Sequence, residues 1–189
     1  MSLPSRKVII TTSIVIVWVA IMLFALWWYQ SRFIRAFNET TAVFSGSELQ
    51  LPNAIAGEGK IRFVHFWDPS CPCNVGNQQH LIELLEHFSD QVDFYHVQKP
   101  NTNGTLPKQL EKLNHLSGLV GMEKLPASPA VAIWDKQGKL AYFGPYSEGA
   151  VCNSSNSFIE PVLNALIENR PVSADSTLAV GCFCDWQAK

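Results

Sequence analysis

The sequence predicts an α/β domain, a mixed central sheet flanked by helices, carried on one N-terminal transmembrane helix. Three observations predict it. Residues 60–170 alternate between strand-type and helix-type hydrophobic spacing. Residues 8–29 form a run of 22 residues without a charge. Two Cys-x-Cys pairs, Cys71-Pro72-Cys73 and Cys182-Phe183-Cys184, mark a strand-to-helix junction and the C-terminal tail. The chain divides into a short leading segment 1–7, the transmembrane helix 8–29, a juxtamembrane connector 30–59, the domain 60–170 and a tail 171–189.

The apolar run comes first. At about 1.5 Å per residue it reaches about 33 Å, enough to cross a hydrocarbon core of about 30 Å. Trp27, Trp28 and Tyr29 close it as an interfacial belt does. A cleaved signal peptide is the competing reading. The run is too long for one, and no small-x-small cleavage site follows it. Arg6 and Lys7 precede the span and Arg32 and Arg35 follow it, so charge alone barely orients it. The cysteine pairs favour an oxidising compartment. The expected placement is therefore the inner (cytoplasmic) membrane, single-pass, with the domain facing the periplasm. Beyond residue 29 the chain carries 12 Lys and Arg against 16 Asp and Glu, a net charge of −4. With no basic run, nucleic acid is not an expected partner.

Gly46, Pro52, Gly57 and Gly59 break the connector, and the folded domain is expected from Lys60. Ile61–Trp67 reads as a central strand, because its apolar end is nearly continuous. Val75–Phe88 places Leu81, Leu84, Leu85 and Phe88 at helical spacing. Val92–Val97 alternates as a strand does. Leu106–Leu116 reads as a second helix with Leu106, Leu110, Leu113 and Leu116 on one side. Ala130–Trp134 and Lys139–Phe143 form a hairpin about Asp135-Lys136-Gln137-Gly138. Phe158–Asn169 closes the domain as a helix with Ile159, Val162, Leu163, Leu166 and Ile167 inward. The order β-α-β-α-β-β-α implies a mixed sheet with helices on both faces.

The chemistry centres on Cys71 and Cys73. A thiol at a helix N-terminus lies where backbone N–H groups favour negative charge, which makes it reactive. If Pro72 takes the first helical position, Cys71 is the cap. Residues two apart on a helix point to nearly opposite sides, so a Cys71–Cys73 bond requires departure from the helix. Cys182 and Cys184 have three readings: a structural disulfide, with Cys152 as one partner; resolving thiols folded back over Cys71; or half of a four-sulfur metal site with Cys71 and Cys73. Zinc and Cu(I) both suit thiolates. Cys152 is otherwise a small buried residue. Five cysteines leave at least one outside intrachain pairs. His65, in a strand, is by default a core histidine, whereas His80, His87, His96 and His115 are expected in solvent.

Three places resemble the thioredoxin family. His65-Phe66-Trp67 followed by Cys71 matches a strand ending in Phe-Trp, with the nucleophile four residues after the Trp. Ala127-Ser128-Pro129-Ala130 resembles the cis-proline loop, and Trp134–Gly144 the terminal hairpin. The chain is also similar to membrane-tethered thioredoxin-like proteins of bacterial envelopes. The resemblance implies Cys71 as nucleophile, a substrate groove at Trp67, Ser128 and Pro129, and His65 where the family places its proton acceptor. The motif is atypical. The family's second cysteine falls at Asn74, while here it is Cys73, and Ser70 replaces the usual aromatic. The peroxiredoxin pattern is not matched.

The expectation is a membrane-anchored thiol–disulfide oxidoreductase without cofactor. Cys71 attacks, Cys73 or the Cys182/Cys184 pair resolves, Pro129 shapes the groove and His65 relays a proton. Its partners are cysteine-bearing envelope proteins or a membrane reductant. The alternatives are a copper- or zinc-binding protein using Cys71, Cys73, Cys182 and Cys184, and a non-catalytic binding module.

Overall fold

Helix α1, Arg6–Phe33, buries none of its residues in the rest of the chain. It is apolar all round, which suits a helix solvated by lipid rather than by a protein core. Its best window has a mean hydropathy of 2.7, and its 28 residues make it long enough to cross a membrane. The computed structural model describes residues 5–37, 46–172 and 179–187. The remaining parts of the expected leading segment, connector and tail lie outside the described residues.

Helix α1 ends at Phe33, and strand β1, Ile34–Ala36, pairs antiparallel with the tail strand β8, Val180–Cys182. The connector is also more than a tether. Phe37, Leu49 and Leu51 are buried in the domain's core, so the folded unit takes in residues well before Lys60.

Strand β2, Ile61–Trp67, is buried along its whole length. It pairs parallel with β3, Val92–Gln98, and antiparallel with β6, Ala130–Trp134. A two-residue strand β4, Asn114–His115, extends the β3 edge, and β7, Leu140–Gly144, closes the other side. The five-stranded order is β4-β3-β2-β6-β7.

The pleat of β2 feeds two cores. Ile61 and Phe63 face helices α2, Asn74–Phe88, and α3, Ile159–Ile167, through Leu81, Leu84, Ile159, Leu163 and Leu166. Val64 and Phe66 face the opposite layer, built from Leu49, Leu51, Leu119, Leu125, Phe183 and Trp186. Both helices thus flank one face, and irregular segments with the tail cover the other.

The helix expected over Leu106–Leu116 is absent. Only a 3₁₀ turn, Lys108–Leu110, forms before β4. Its leucines do not share a side: Leu110 and Leu113 join the helical layer, while Leu116 packs in the opposite one. The chain crosses the sheet edge there, and so short a helix has little stability of its own. The resulting sheet, with its parallel β2/β3 pair and antiparallel β6/β7 pair, is the thioredoxin-like arrangement that the motifs implied.

Candidate functional site: a double disulfide at the start of a helix

The turn after β2 is held by Asp68. Its Oδ1 accepts from the Ser70 N–H at 2.9 Å and from Ser70 Oγ at 2.6 Å, and its carbonyl oxygen accepts from Asn74 Nδ2 at 2.6 Å. The Cys71 N–H donates to the same carbonyl at 2.9 Å. Lys99, just past β3, places its ammonium 3.1 Å from the Asp68 carboxylate. Burial of Asp68 works against its ionisation, yet the Ser70 hydrogen bonds and the Lys99 charge outweigh it and hold the carboxyl below its usual range.

Helix α2 begins at Asn74, two residues later than Pro72 suggests, and Cys73 is its cap. Cys71 sits in the preceding turn, and its carbonyl accepts from the Asn74 N–H at 3.3 Å. This is the physical reason the cap moves: Asp68 and Cys71 close successive tight turns, which delays the helix. Both sulfurs still lie at the positive end of the α2 dipole.

The tail returns over them. Cys71 is bonded to Cys184 and Cys73 to Cys182. The structural pairing with Cys152 that the sequence left open does not occur; Cys152 is reduced and buried. Burial, followed by the charges of Glu160 and Glu83, pushes its thiol up to about 11 against hydrogen bonds from Ser147 and Ser157. It is an inert thiol at neutral pH.

The Ser128–Pro129 peptide is cis, and Ser128 O lies 3.8 Å from Cys71 Sγ. A two-residue strand β5, Ala127–Ser128, pairs antiparallel with the tail strand β9, Cys184–Asp185, with Ser128 opposite Cys184. The Ser128 hydroxyl is buried with no hydrogen-bond partner among the described residues. Trp67 is buried and donates from Nε1 to His96 Nδ1 at 3.3 Å, so it orders the strand end.

Helix α1 touches the same cluster. Tyr29 Oη lies 3.6 Å from Cys182 Sγ, and the Phe183 N–H donates to Phe33 O at 2.9 Å. Phe33 packs on Cys71, Cys73 and Cys182. A cavity of about 820 Å³ opens beside Cys184, lined by Trp28, Arg32, Phe33, Arg35, Lys99 and Asp185 among others. Cys71 is buried, whereas Cys184 is half-buried and borders this cavity.

His65 is wholly buried, with Tyr146 Oη 2.8 Å from its Nδ1 and no partner at Nε2 among the described residues. Burial first, and His96 second, pull its pKa to about 3. A neutral, weakly basic imidazole is a poor proton acceptor for a thiol, so its environment does not favour the relay expected of it. His80 also departs from expectation. It is buried rather than solvated, 2.9 Å from Ser157 Oγ and 3.3 Å from Glu83 Oε2, because its face of α2 packs against the segment leading to α3. Lys99, Arg35 and Tyr29 were missed. Lys99 carried a readable signal: it ends the strand parallel to β2, on the side where α/β sheets gather their sites.

A family model described as "Domain of unknown function (DUF6436)" matches residues 40–186. No curated protein matches the sequence. Among solved structures, a hypothetical protein from Sinorhizobium meliloti is similar at 11% identity and a TM-score of 0.56, over 82% of this chain and 98% of that one. A thioredoxin-like protein in its oxidised form gives 18% identity and a TM-score of 0.43, over 72% and 97% of the two chains. A putative thioredoxin from Neisseria meningitidis gives 15% and 0.40, over 67% and 84%.

Proposed function

The chain belongs to the DUF6436 family, and for this member we propose a membrane-anchored thiol–disulfide oxidoreductase acting on cysteine-bearing envelope proteins. The observation that carries the reading is the Cys71–Cys184 disulfide, seated at the start of α2 against the Ser128–Pro129 loop. Helix α1 anchors the domain in the inner membrane, with the domain in the periplasm. The disulfides suit that oxidising side.

In the oxidised form a thiolate from a reductant reaches Cys184 through the cavity. It attacks Cys184 Sγ, the Cys184–Cys71 bond breaks, and Cys71 leaves as a thiolate favoured by the α2 N-terminus; a second thiolate of the reductant then attacks the reductant sulfur bonded to Cys184, which forms the reductant's own disulfide and frees the Cys184 thiolate. In the reduced form the Cys71 thiolate attacks one sulfur of a substrate disulfide, and the second substrate sulfur leaves and takes a proton. The Cys184 thiolate then attacks Cys71 Sγ and releases the first substrate sulfur, which is protonated in turn. Two electrons pass from the Cys71/Cys184 pair to the substrate, and the reverse sequence oxidises one. Cys73 and Cys182 hold the tail in place and exchange in the same way. Ser128 and Pro129 wall the groove, and Trp67 supports it.

The test uses the full chain in detergent micelles with a disulfide-bearing protein as substrate. Cys71→Ser abolishes exchange and Cys152→Ser leaves it unchanged. Full exchange in Cys71→Ser removes the reading.

A second reading rests on one observation: the sulfurs of Cys71, Cys73 and Cys184 lie within 4.8 Å of one another. Once reduced, these three and Cys182 form a donor set suited to Zn²⁺ or Cu(I). Anaerobic purification of reduced protein with one equivalent of metal supports it. Metal-free protein that refuses both ions counts against it.

A further inference from the structure

The tail strand is a covalent occupant of a sheet edge, and three consecutive residues of it are each received by a different feature. Cys184 stands opposite Ser128 and is bonded to Cys71. Asp185 stands opposite Ala127; its carboxylate lies 2.6 Å from Arg35 Nη2, and its carbonyl oxygen accepts from Lys99 Nζ at 2.8 Å. Trp186 is buried edge-on against Phe66, with ring centroids 5.9 Å apart. A nucleophilic sulfur, an arginine and an aromatic core face thus meet a cysteine, an acid and an aromatic residue in order.

We infer that this groove recognises an extended segment of a partner protein in which an acidic residue follows the cysteine, and that the C-terminal strand is the chain's own copy of that segment. The inference rests on the thiol–disulfide reading above. Strand addition gives main-chain hydrogen bonds to almost any sequence, so discrimination falls to the side-chain positions. Here the charged position is complementary to Arg35, which lines the cavity leading to Cys184, while Lys99, paired with Asp68, holds the main-chain carbonyl of the same residue.

A mechanical consequence follows, because one edge cannot pair with two strands. While Cys184 is bonded to Cys71 the groove is filled. After Cys71 has joined the partner's cysteine, Cys184 can reach the Cys71 sulfur only by re-forming its pair with Ser128. The new sulfur–sulfur bond and the expulsion of the partner's strand are then the same event. The partner's cysteine leaves as a thiolate and takes a proton, and the oxidised chain returns to the pairing seen here. The orphaned Ser128 hydroxyl lies on the edge that changes occupant.

The test uses full-length Cys182→Ser/Cys184→Ser protein in micelles, so that the tail is not fastened. The probes are Phe-Cys-Asp-Trp and Phe-Cys-Lys-Trp peptides, each with its cysteine joined to 5-thio-2-nitrobenzoate. The Cys71 thiolate attacks the peptide sulfur, and the nitrobenzoate thiolate leaves and is read by absorbance. Mass mapping confirms Cys71 as the site. The acidic peptide reacts about fivefold faster, as a partly exposed ion pair allows, and the advantage shrinks with salt. Arg35→Glu reverses the preference. Equal rates for the two peptides overturn the inference, and this comparison needs no charge variant to fold. If oxidised glutathione labels Cys71 while the peptides react equally, the enzyme reading stands and the inference alone falls. If no disulfide labels Cys71, the enzyme reading falls first.

Discussion

The hydroxyl of Tyr29 lies 3.6 Å from the sulfur of Cys182. One residue ends the apolar span and the other is half of a disulfide, so the double disulfide and helix α1 form one structural unit. Strand β1 continues that helix and pairs with β8, which carries Cys182. Whatever frees the tail therefore also loosens the junction with helix α1.

Reduction is expected to open this junction locally rather than unfold the domain. The β1–β8 and β5–β9 ladders are short, and strands β1 and β9 are partly exposed, while β2 is buried throughout. Amide hydrogen exchange in residues 34–36 and 180–185 rises at least about tenfold on reduction, and exchange in Ile61–Trp67 does not change. Protection lost equally in both regions contradicts this account.

The two disulfides close nearly the same loop, with separations of 113 and 109 residues. The chain-entropy benefit of the second bond is small once the first is in place. Replacing only Cys73 and Cys182 by Ala costs under about 1 kcal/mol of stability, and replacing all four cysteines costs about 2–5 kcal/mol. Denaturant unfolding followed by Trp fluorescence measures both. Two equal, additive losses contradict the nested arrangement.

His65 makes stability depend on pH with a definite sign. Its native pKa of about 3 lies below the ordinary histidine value of 6.5. Above pH 6.5 neither state is protonated, and His65 contributes no slope. Between pH 6.5 and 3 the unfolded chain binds a proton that the native state refuses, so stability falls as pH falls. His65→Gln removes up to about 1.4 kcal/mol per pH unit from that slope. His96, held low by burial and then by His115, leaves a residual slope of the same sign. A slope unchanged by His65→Gln shows that the buried imidazole does not titrate in this way.

Much of this was legible in the residues. The continuous apolar run of Ile61–Trp67 marked the central strand, and the spacing of Leu81, Leu84, Ile159 and Leu163 marked both packed helices. Cys71 and the Ser128–Pro129 loop were brought together as their motifs implied. The Leu106–Leu116 segment misled because leucines at helical spacing also suit a chain crossing a sheet edge, where Leu106, Leu110 and Leu113 enter one core and Leu116 the other. The pairing of Cys71 with Cys184 and of Cys73 with Cys182 was not legible. It depends on β9 finding the edge at Ala127–Ser128, a contact across more than fifty residues. Arg35 was hidden for the same reason: its meaning comes from Asp185, which the fold brings to it.

The most direct test equilibrates the full chain in micelles across a series of glutathione ratios, traps thiols by alkylation and maps each cysteine by mass spectrometry. The account predicts that Cys71 moves reversibly between free thiol and a disulfide with Cys184, that Cys73 follows with Cys182, and that Cys152 is never paired. The midpoint then gives the direction of electron flow. A Cys71 that neither enters nor leaves a disulfide anywhere in the series contradicts the central claim.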